Sequence, residues 1–277
     1  MNKTCDRVQR VVVSMIAAAA VLTVSSVSLA QTWNSAGLSA AEFKAQQAGG
    51  PAPRRDLAGI WDAGGAGIGG AAQAAERAAA QAPLTPLGEQ MVRLNKPGNG
   101  SRSVPVAEIN DPLSTMGDPS GFPRLVTFEL RPVQIVHTPN QVLMLYMFEK
   151  RWRVIWTDGR ELPRDPDPRW YGYSVGRWED DTTFVVQTVG MDDRTWVDNS
   201  GSPHSTALRV EERYRRVSQN TLELTVTIDD PKVYTKPWLA RNRLPLKLLP
   251  PTTDVMEMIP SASESAAYQK FISSQTR

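Results

Sequence analysis

The sequence predicts a mainly β protein, either an antiparallel barrel or a sandwich, and three observations support this. Short β-type segments follow one another from residue 125 to residue 248. In 221–229, apolar and polar residues alternate strictly, as they do on a strand with one buried face. Turn signals separate the segments, for example at 140–141, 179–181 and 218–220. Short strands at this spacing are typical of barrels and sandwiches.

The amino terminus resembles an export signal. Lys3, Arg7 and Arg10 precede the apolar stretch 11–30, whose last residues, Val27 to Ala30, form a small-x-small cleavage pattern. The stretch is also long enough to serve as an uncleaved anchor. Because the cleavage pattern follows it directly, we expect a signal peptide over 1–30, cleavage before Gln31, no stable membrane anchor afterwards, and a periplasmic or secreted protein.

Removal of residues 1–30 leaves 28 basic and 28 acidic residues, so the chain carries no net formal charge. This balance favours neither nucleic acid nor an anionic membrane as a partner. The only cysteine, Cys5, leaves with the signal, which excludes a thiolate nucleophile and a Cys-ligated metal. The two histidines and scattered acidic residues show no metal-ligand spacing, so the sequence predicts no metal and no cofactor.

The remaining chain divides into an extension and one domain. Residues 31–55 form an N-terminal helical or irregular extension and linker, in which Ser39 and Glu42 resemble a capping box. Residues 56–277 form the single β domain, with a helical and loop insertion at 71–124. In the insertion we expect helices at 71–82 and at 85–94, the second entered by Pro86, and a long ordered loop over a site at 97–124.

Ten segments carry the strand pattern. The predicted strands are 56–61, 125–130, 133–137, 142–149, 151–157, 170–178, 183–189, 205–216, 221–229 and 244–248. In 205–216, alternation places Glu212 on the same face as Leu208 and Val210, toward the interior. A buried carboxylate is costly unless it is paired or used. Glu212 is therefore either a general base with a raised pKa or one half of a buried ion pair with Arg153 or Arg177.

The two histidines of the mature chain offer further acid–base groups. His204 leads into the Glu212 strand beside Ser205, where it would act as a general acid or base or would bond to turn backbone groups. Along one strand it would lie roughly 26 Å from Glu212, so each would need a partner from another strand. His137 is in phase with Val133 and Ile135 and is either a ligand contact or a core histidine near a strand end.

A second group of candidates surrounds the turn after Trp156. Asp158 and Arg160 flank Gly159, an arrangement that indicates a tight turn, or a barrel-rim site where Arg160 holds a ligand oxygen. Downstream, one strand face would carry the residues Tyr171, Tyr173, Val175 and Arg177. Either tyrosine would donate a proton, orient a ligand or simply pack in the core.

Two resemblances narrow the choice between the predicted folds. The segment Leu57-Ala58-Gly59-Ile60-Trp61 resembles the Gly-x-Trp start of lipocalin-like barrels. The motif from Thr157-Asp158-Gly159-Arg160 through Trp170-Tyr171-Gly172-Tyr173-Ser174-Val175-Gly176-Arg177-Trp178 resembles a large family of exported bacterial proteins common in soil organisms. The resemblance covers roughly residues 57 to 250 and names no reaction. Together these likenesses imply an antiparallel, lipocalin-like (calycin-type) barrel.

The functional hypotheses are three. The first is a cofactor-free acid–base enzyme, a lyase, isomerase or hydratase, acting on a hydrophobic or aromatic metabolite. Glu212, His204, Asp158 and Tyr173 are its candidate catalytic residues, and Arg160, Arg177, Tyr171, His137 and Trp156 its candidate ligand contacts. The second is a carrier of a small hydrophobic ligand. The third is an envelope interaction module. The sequence leaves the oligomeric state open.

Overall fold

The computed structural model describes residues 40–64, 77–128, 130–259 and 261–275. The predicted signal peptide and residues 31–39 of the extension lie outside these described residues. Within them, no helix has both the length and the apolar character needed to cross a membrane.

Nine strands close into a barrel in the order of the chain, from β1 round to β9 and back to β1. The mainly β, barrel-type prediction is therefore confirmed. The strands are β1 (Gly59–Asp62), β2 (Val133–His137), β3 (Gln141–Tyr146), β4 (Trp152–Trp156), β5 (Tyr173–Trp178), β6 (Thr183–Val189), β7 (Arg209–Ser218), β8 (Thr221–Asp229) and β9 (Trp238–Leu248). β2, β6 and β8 match their predicted bounds. β8 does so because it alternates cleanly after a turn signal.

The predicted barrel is antiparallel throughout, but the observed barrel is mixed. β4 and β5 run parallel and pair only at Ile155 with Ser174 and at Trp156 with Val175, whereas the other neighbouring strands are antiparallel. A parallel pair needs a crossover connection, and residues 157–172 supply it. Prolines at 163, 166 and 168 disfavour a helix there, so the crossover is an extended loop laid over the β4–β5 seam.

The helices lie mainly in the insertion and at the carboxyl end. They are α1 (Ala40–Ala45), α2 (Pro86–Leu94), a 3₁₀ turn (Val106–Glu108), α3 (Pro112–Met116), α4 (Arg124–Thr127) and α5 (Ala262–Gln275). α2 begins as predicted, with Thr85 as N-cap and Pro86 in the first turn. Of the helix predicted at 71–82, residues 77–80 are helical and 71–76 lie outside the described part.

The predicted strand at 125–130 is wrong, since residues Arg124–Thr127 form α4 instead. A short apolar stretch has no period that separates a strand from a buried helical turn, and here all four helical residues are buried. The segment packs against the barrel interior rather than joining the sheet. Phe122 is fully buried, and its ring centroid lies 3.7 Å from the guanidinium carbon of Arg153 on β4.

Candidate functional site

The Glu212 carboxylate points into the barrel, as the alternation predicts, and is fully buried. Arg153 binds it through two hydrogen bonds, Nη1 to Oε1 at 3.1 Å and Nη2 to Oε2 at 2.8 Å. The Tyr214 hydroxyl donates to Oε1 at 2.6 Å. Both carboxylate oxygens are therefore occupied by groups of the protein itself. Of the two ion-pair partners considered, Arg153 is the one found, while Arg177 is exposed on the outer face of β5.

The guanidinium of Arg153 is bonded on its other edges as well. It donates to the hydroxyl oxygens of Tyr146 (3.2 Å), Ser174 (3.1 Å) and Thr188 (3.2 Å). Burial by itself lowers the pKa of Arg153, but the Glu212 carboxylate together with the hydroxyls of Tyr146 and Tyr214 outweighs burial, and the net pKa is raised. Arg153 is thus a permanent cation that holds Glu212 in place and links β3, β4, β5, β6 and β7 across the interior.

His204 bonds only to groups of the protein itself in the described part of the chain. It is fully buried, and burial lowers its pKa despite the backbone oxygen of Ser205 and nearby carboxylates, which raise it. The ring is therefore neutral near pH 7. Nδ1 donates to the Ser205 backbone oxygen (3.1 Å), and Nε2 lies within hydrogen-bond distance of the Thr195 hydroxyl oxygen (2.8 Å). Of the two predicted roles, the contacts match a histidine that bonds to turn backbone.

His137 closes one end of β2 and is also held by the protein. Its Nε2 accepts a hydrogen bond from the Leu57 backbone N–H at 3.0 Å. Its ring stacks on Trp178, with centroids 6.2 Å apart. Burial lowers its pKa, and the neighbouring Asp56 carboxylate offsets this only in part. The contacts match the predicted core histidine near a strand end.

A cavity of about 430 Å³ lies at the seam between β4 and β5. We call it the seam cavity. Its lining comes from residues 152–154 and 156 of β4, from 160–163, 169, 171 and 172 of the crossover, and from 173–175 at the start of β5. It forms here because the parallel pairing covers only two residues of each strand, so the two strands separate below Ile155 and Ser174.

Aromatic rings and arginines surround the seam cavity in stacked pairs. The guanidinium carbon of Arg160 lies 3.5 Å from the centroid of Trp156, and that of Arg169 lies 4.0 Å from the centroid of Tyr173. Trp152 is 64% exposed at the same seam. Flat apolar faces beside guanidinium edges can hold a planar ring and a polar group of one ligand together.

A buried carboxylate supports one wall of the seam cavity. Tyr171 donates its hydroxyl proton to Glu149 Oε2, and the Ser120 backbone N–H donates to Oε1 at 2.6 Å. Burial raises the pKa of Tyr171, and the Glu149 carboxylate raises it further, so the phenol stays protonated. Glu149 and Lys150 both have left-handed backbone, with φ of 59° and 49°, a strained geometry held by these contacts.

The structure thus divides the predicted site residues into two groups. Trp156, Arg160, Tyr171 and Tyr173 line the seam cavity, and Asp158 joins them through its ion pair with Arg160. The chain bends at 158–159 as the turn interpretation predicts. Glu212, His204, His137 and Arg177 do not line it. Glu212 is connected to it only through Arg153.

Sequence reasoning missed several lining or supporting residues as site residues. Among them are Arg169 of the crossover, Trp152 and Arg153 of β4, and Glu149. Arg153 had a signal, because it shares the apolar face of its strand with Ile155. Trp152 and Glu149 had none, since their roles arise from the crossover folding over the seam. Among the described residues, no cluster of His, Cys, Asp and Glu has an arrangement that could hold a metal ion.

Comparison of the chain with protein-family models, with curated proteins and with solved structures finds no significant match. The resemblance of 157–178 to an exported bacterial family stays a prediction. In this fold, that motif comprises the crossover and β5, which form most of the seam cavity wall.

Proposed function

We propose that this chain binds a small aromatic or hydrophobic molecule in the seam cavity and carries it without chemical change. One observation supports this above all: a cavity of about 430 Å³ lined by Trp152, Trp156, Tyr171 and Tyr173. Ligand cavities in proteins commonly measure about 300–1,000 Å³ and combine apolar walls with a few polar groups. The barrel strands hold the aromatic residues of one wall, so most of the site is formed before a ligand arrives.

The bonding of the acid–base residues favours a carrier over the predicted lyase, isomerase or hydratase. A general base needs a lone pair within reach of a substrate proton. Glu212 directs both oxygens to Arg153 and Tyr214, and His204 is fully buried against Thr195 and Ser205. A substrate in the seam cavity would therefore find neither Glu212 nor His204 with a free lone pair within reach.

The proposal includes export to the periplasm or the medium. It rests on the sequence of residues 1–30 alone. A carrier in that compartment would meet its ligand outside the cytoplasm.

The test is calorimetric titration of the full chain with 2-acetylnaphthalene, a neutral two-ring probe. We expect saturable binding of one probe per chain, and recovery of the probe unchanged by mass spectrometry. Trp152→Ala removes an aromatic contact worth about 1 kcal/mol, so the Kd rises about fivefold.

Leu239→Ala is the matched control, because Leu239 is 46% exposed on β9 and lies outside the seam cavity. Its Kd equals that of the unmodified protein if the proposal holds. Absence of binding by the unmodified protein, or an equal loss in both variants, would contradict it. Chemical conversion of the probe would contradict the carrier function.

A further inference from the structure

The arginines that line the seam cavity differ in whether their charge is already neutralised. Arg153 is paired with Glu212 at 2.8 Å. Arg160 is paired with Asp158 through three hydrogen bonds between 2.6 and 3.1 Å. Arg169 forms no ion pair with any carboxylate in the part of the chain that the structure describes.

The backbone of Arg169 is also fixed by hydrogen bonds on both sides. Its backbone N–H donates to the Gly190 oxygen at 2.9 Å, and its backbone oxygen accepts from Gly172 (3.2 Å) and Asp192 (3.0 Å). Its guanidinium carbon lies 4.0 Å from the centroid of the Tyr173 ring, a contact with the face of the aromatic ring. A guanidinium edge matches the two oxygens of a carboxylate. Positioning before binding reduces the entropy that a ligand must lose.

From this geometry we propose that the ligand of the seam cavity is an aromatic carboxylate, with its ring among the aromatic residues and its carboxylate on Arg169. The inference rests on the proposed function, since it names the class of molecule that the same cavity takes. Arg169 lies on the crossover and Trp152 on β4, so the two hold the charged and the apolar parts of the ligand from different elements. Arg160 and Arg153 are excluded as anchors, because an incoming carboxylate would have to displace Asp158 or Glu212.

The experiment compares two probes of similar size on the full chain by calorimetry at low salt: 2-naphthoate and the neutral 2-acetylnaphthalene. We expect naphthoate to bind about fivefold more tightly, and the difference to shrink as salt screens the pair. Arg169→Gln abolishes the preference, so the two probes bind this variant with equal affinity.

Arg177→Gln is the matched control, because Arg177 is an exposed arginine on the outer face of β5 that does not line the seam cavity. It retains the full preference for naphthoate. Equal affinity for both probes, or an equal loss of preference in the two variants, would overturn the inference and leave the proposed function standing. Failure of both probes to bind would overturn both proposals together.

Discussion

Among single residues, the pair Arg153–Glu212 has the largest influence on the barrel interior. Two charges leave water completely, and their attraction offsets that cost because the geometry is bidentate and because Tyr146, Ser174, Thr188 and Tyr214 bond to the guanidinium or the carboxylate, although Arg153 Nε has no hydrogen-bond partner within the ranges that the structure describes. Such a pair adds little net stability compared with apolar residues. We expect it instead to favour one register of the strands that it joins.

Removing one partner of this pair leaves a buried charge without compensation. We expect Glu212→Gln to lower the free energy of unfolding by about 3–5 kcal/mol. Arg153→Met combined with Glu212→Leu costs less than the sum of the two single changes, because no buried charge remains. Urea unfolding of the unmodified protein, of Arg153→Met, of Glu212→Leu and of the double variant gives the coupling energy directly.

The exposed pair Arg243–Glu223 is the control, and its disruption costs far less because water screens it. Additive losses at Arg153 and Glu212 would show that the pair does not constrain the interior in this way.

Among the elements, β5 combines close packing with the site. Its outward residues Tyr173 and Val175 line the seam cavity, while Gly176 faces Phe184 and Ile155 in the interior. A Cβ atom at position 176 would lie 2.3 Å from Phe184 and 2.8 Å from Ile155. Close packing of β5 on β6 therefore requires a residue without a side chain there, and this contact keeps the cavity wall in position.

Gly176→Ala tests this packing. We expect it to lower the free energy of unfolding by about 1–3 kcal/mol, because both contacted side chains are fully buried and have little room to move. Binding of the naphthyl probes weakens as well, since the wall shifts. Chemical denaturation and calorimetry measure the two effects.

Gly159→Ala is the comparison, since a Cβ atom at position 159 would meet no heavy atom within 4 Å and only the backbone φ of 85° opposes the change. It costs about 1 kcal/mol, the value for left-handed backbone in a residue with a side chain. A Gly176→Ala protein as stable as the Gly159→Ala protein would refute the packing argument.

For the complete fold, buried His204 and half-buried His137 make stability depend on pH. The pKa of His204 and that of His137 are both lowered from their ordinary value of 6.5. The unfolded chain therefore binds more protons than the folded one as pH falls below about 6.5. Stability is full above that pH and is lost as pH falls toward the lowered pKa values.

We expect the free energy of unfolding to fall between pH 7.5 and pH 5.5, by at most about 1.4 kcal/mol per pH unit for each histidine. Asp198 acts in the opposite direction, because burial raises its pKa and its protonation favours the folded state. The contribution of His204 is therefore measured as the difference between the unmodified protein and His204→Gln across the same range. An equal pH dependence in the two proteins would contradict the assignment.

The sequence by itself determined the strand pattern, the inward direction of Glu212 and the turn at Asp158. Each follows from spacing between near neighbours: a period of two residues along a strand and an Asp-Gly pair at a turn. The same local information identified Arg160, beside the Asp-Gly turn, and Tyr171 and Tyr173, on one face of a predicted strand, as candidates.

Only the tertiary structure decided which groups meet. Glu212 and Arg153 are 59 positions apart, and the parallel pairing of β4 with β5 depends on how nine strands close into a ring. Alternation specifies the side to which a residue points but not the strand that lies opposite, because pairing is settled by the packing of all strands together. The seam cavity is a consequence of that pairing, so no local pattern could have located it.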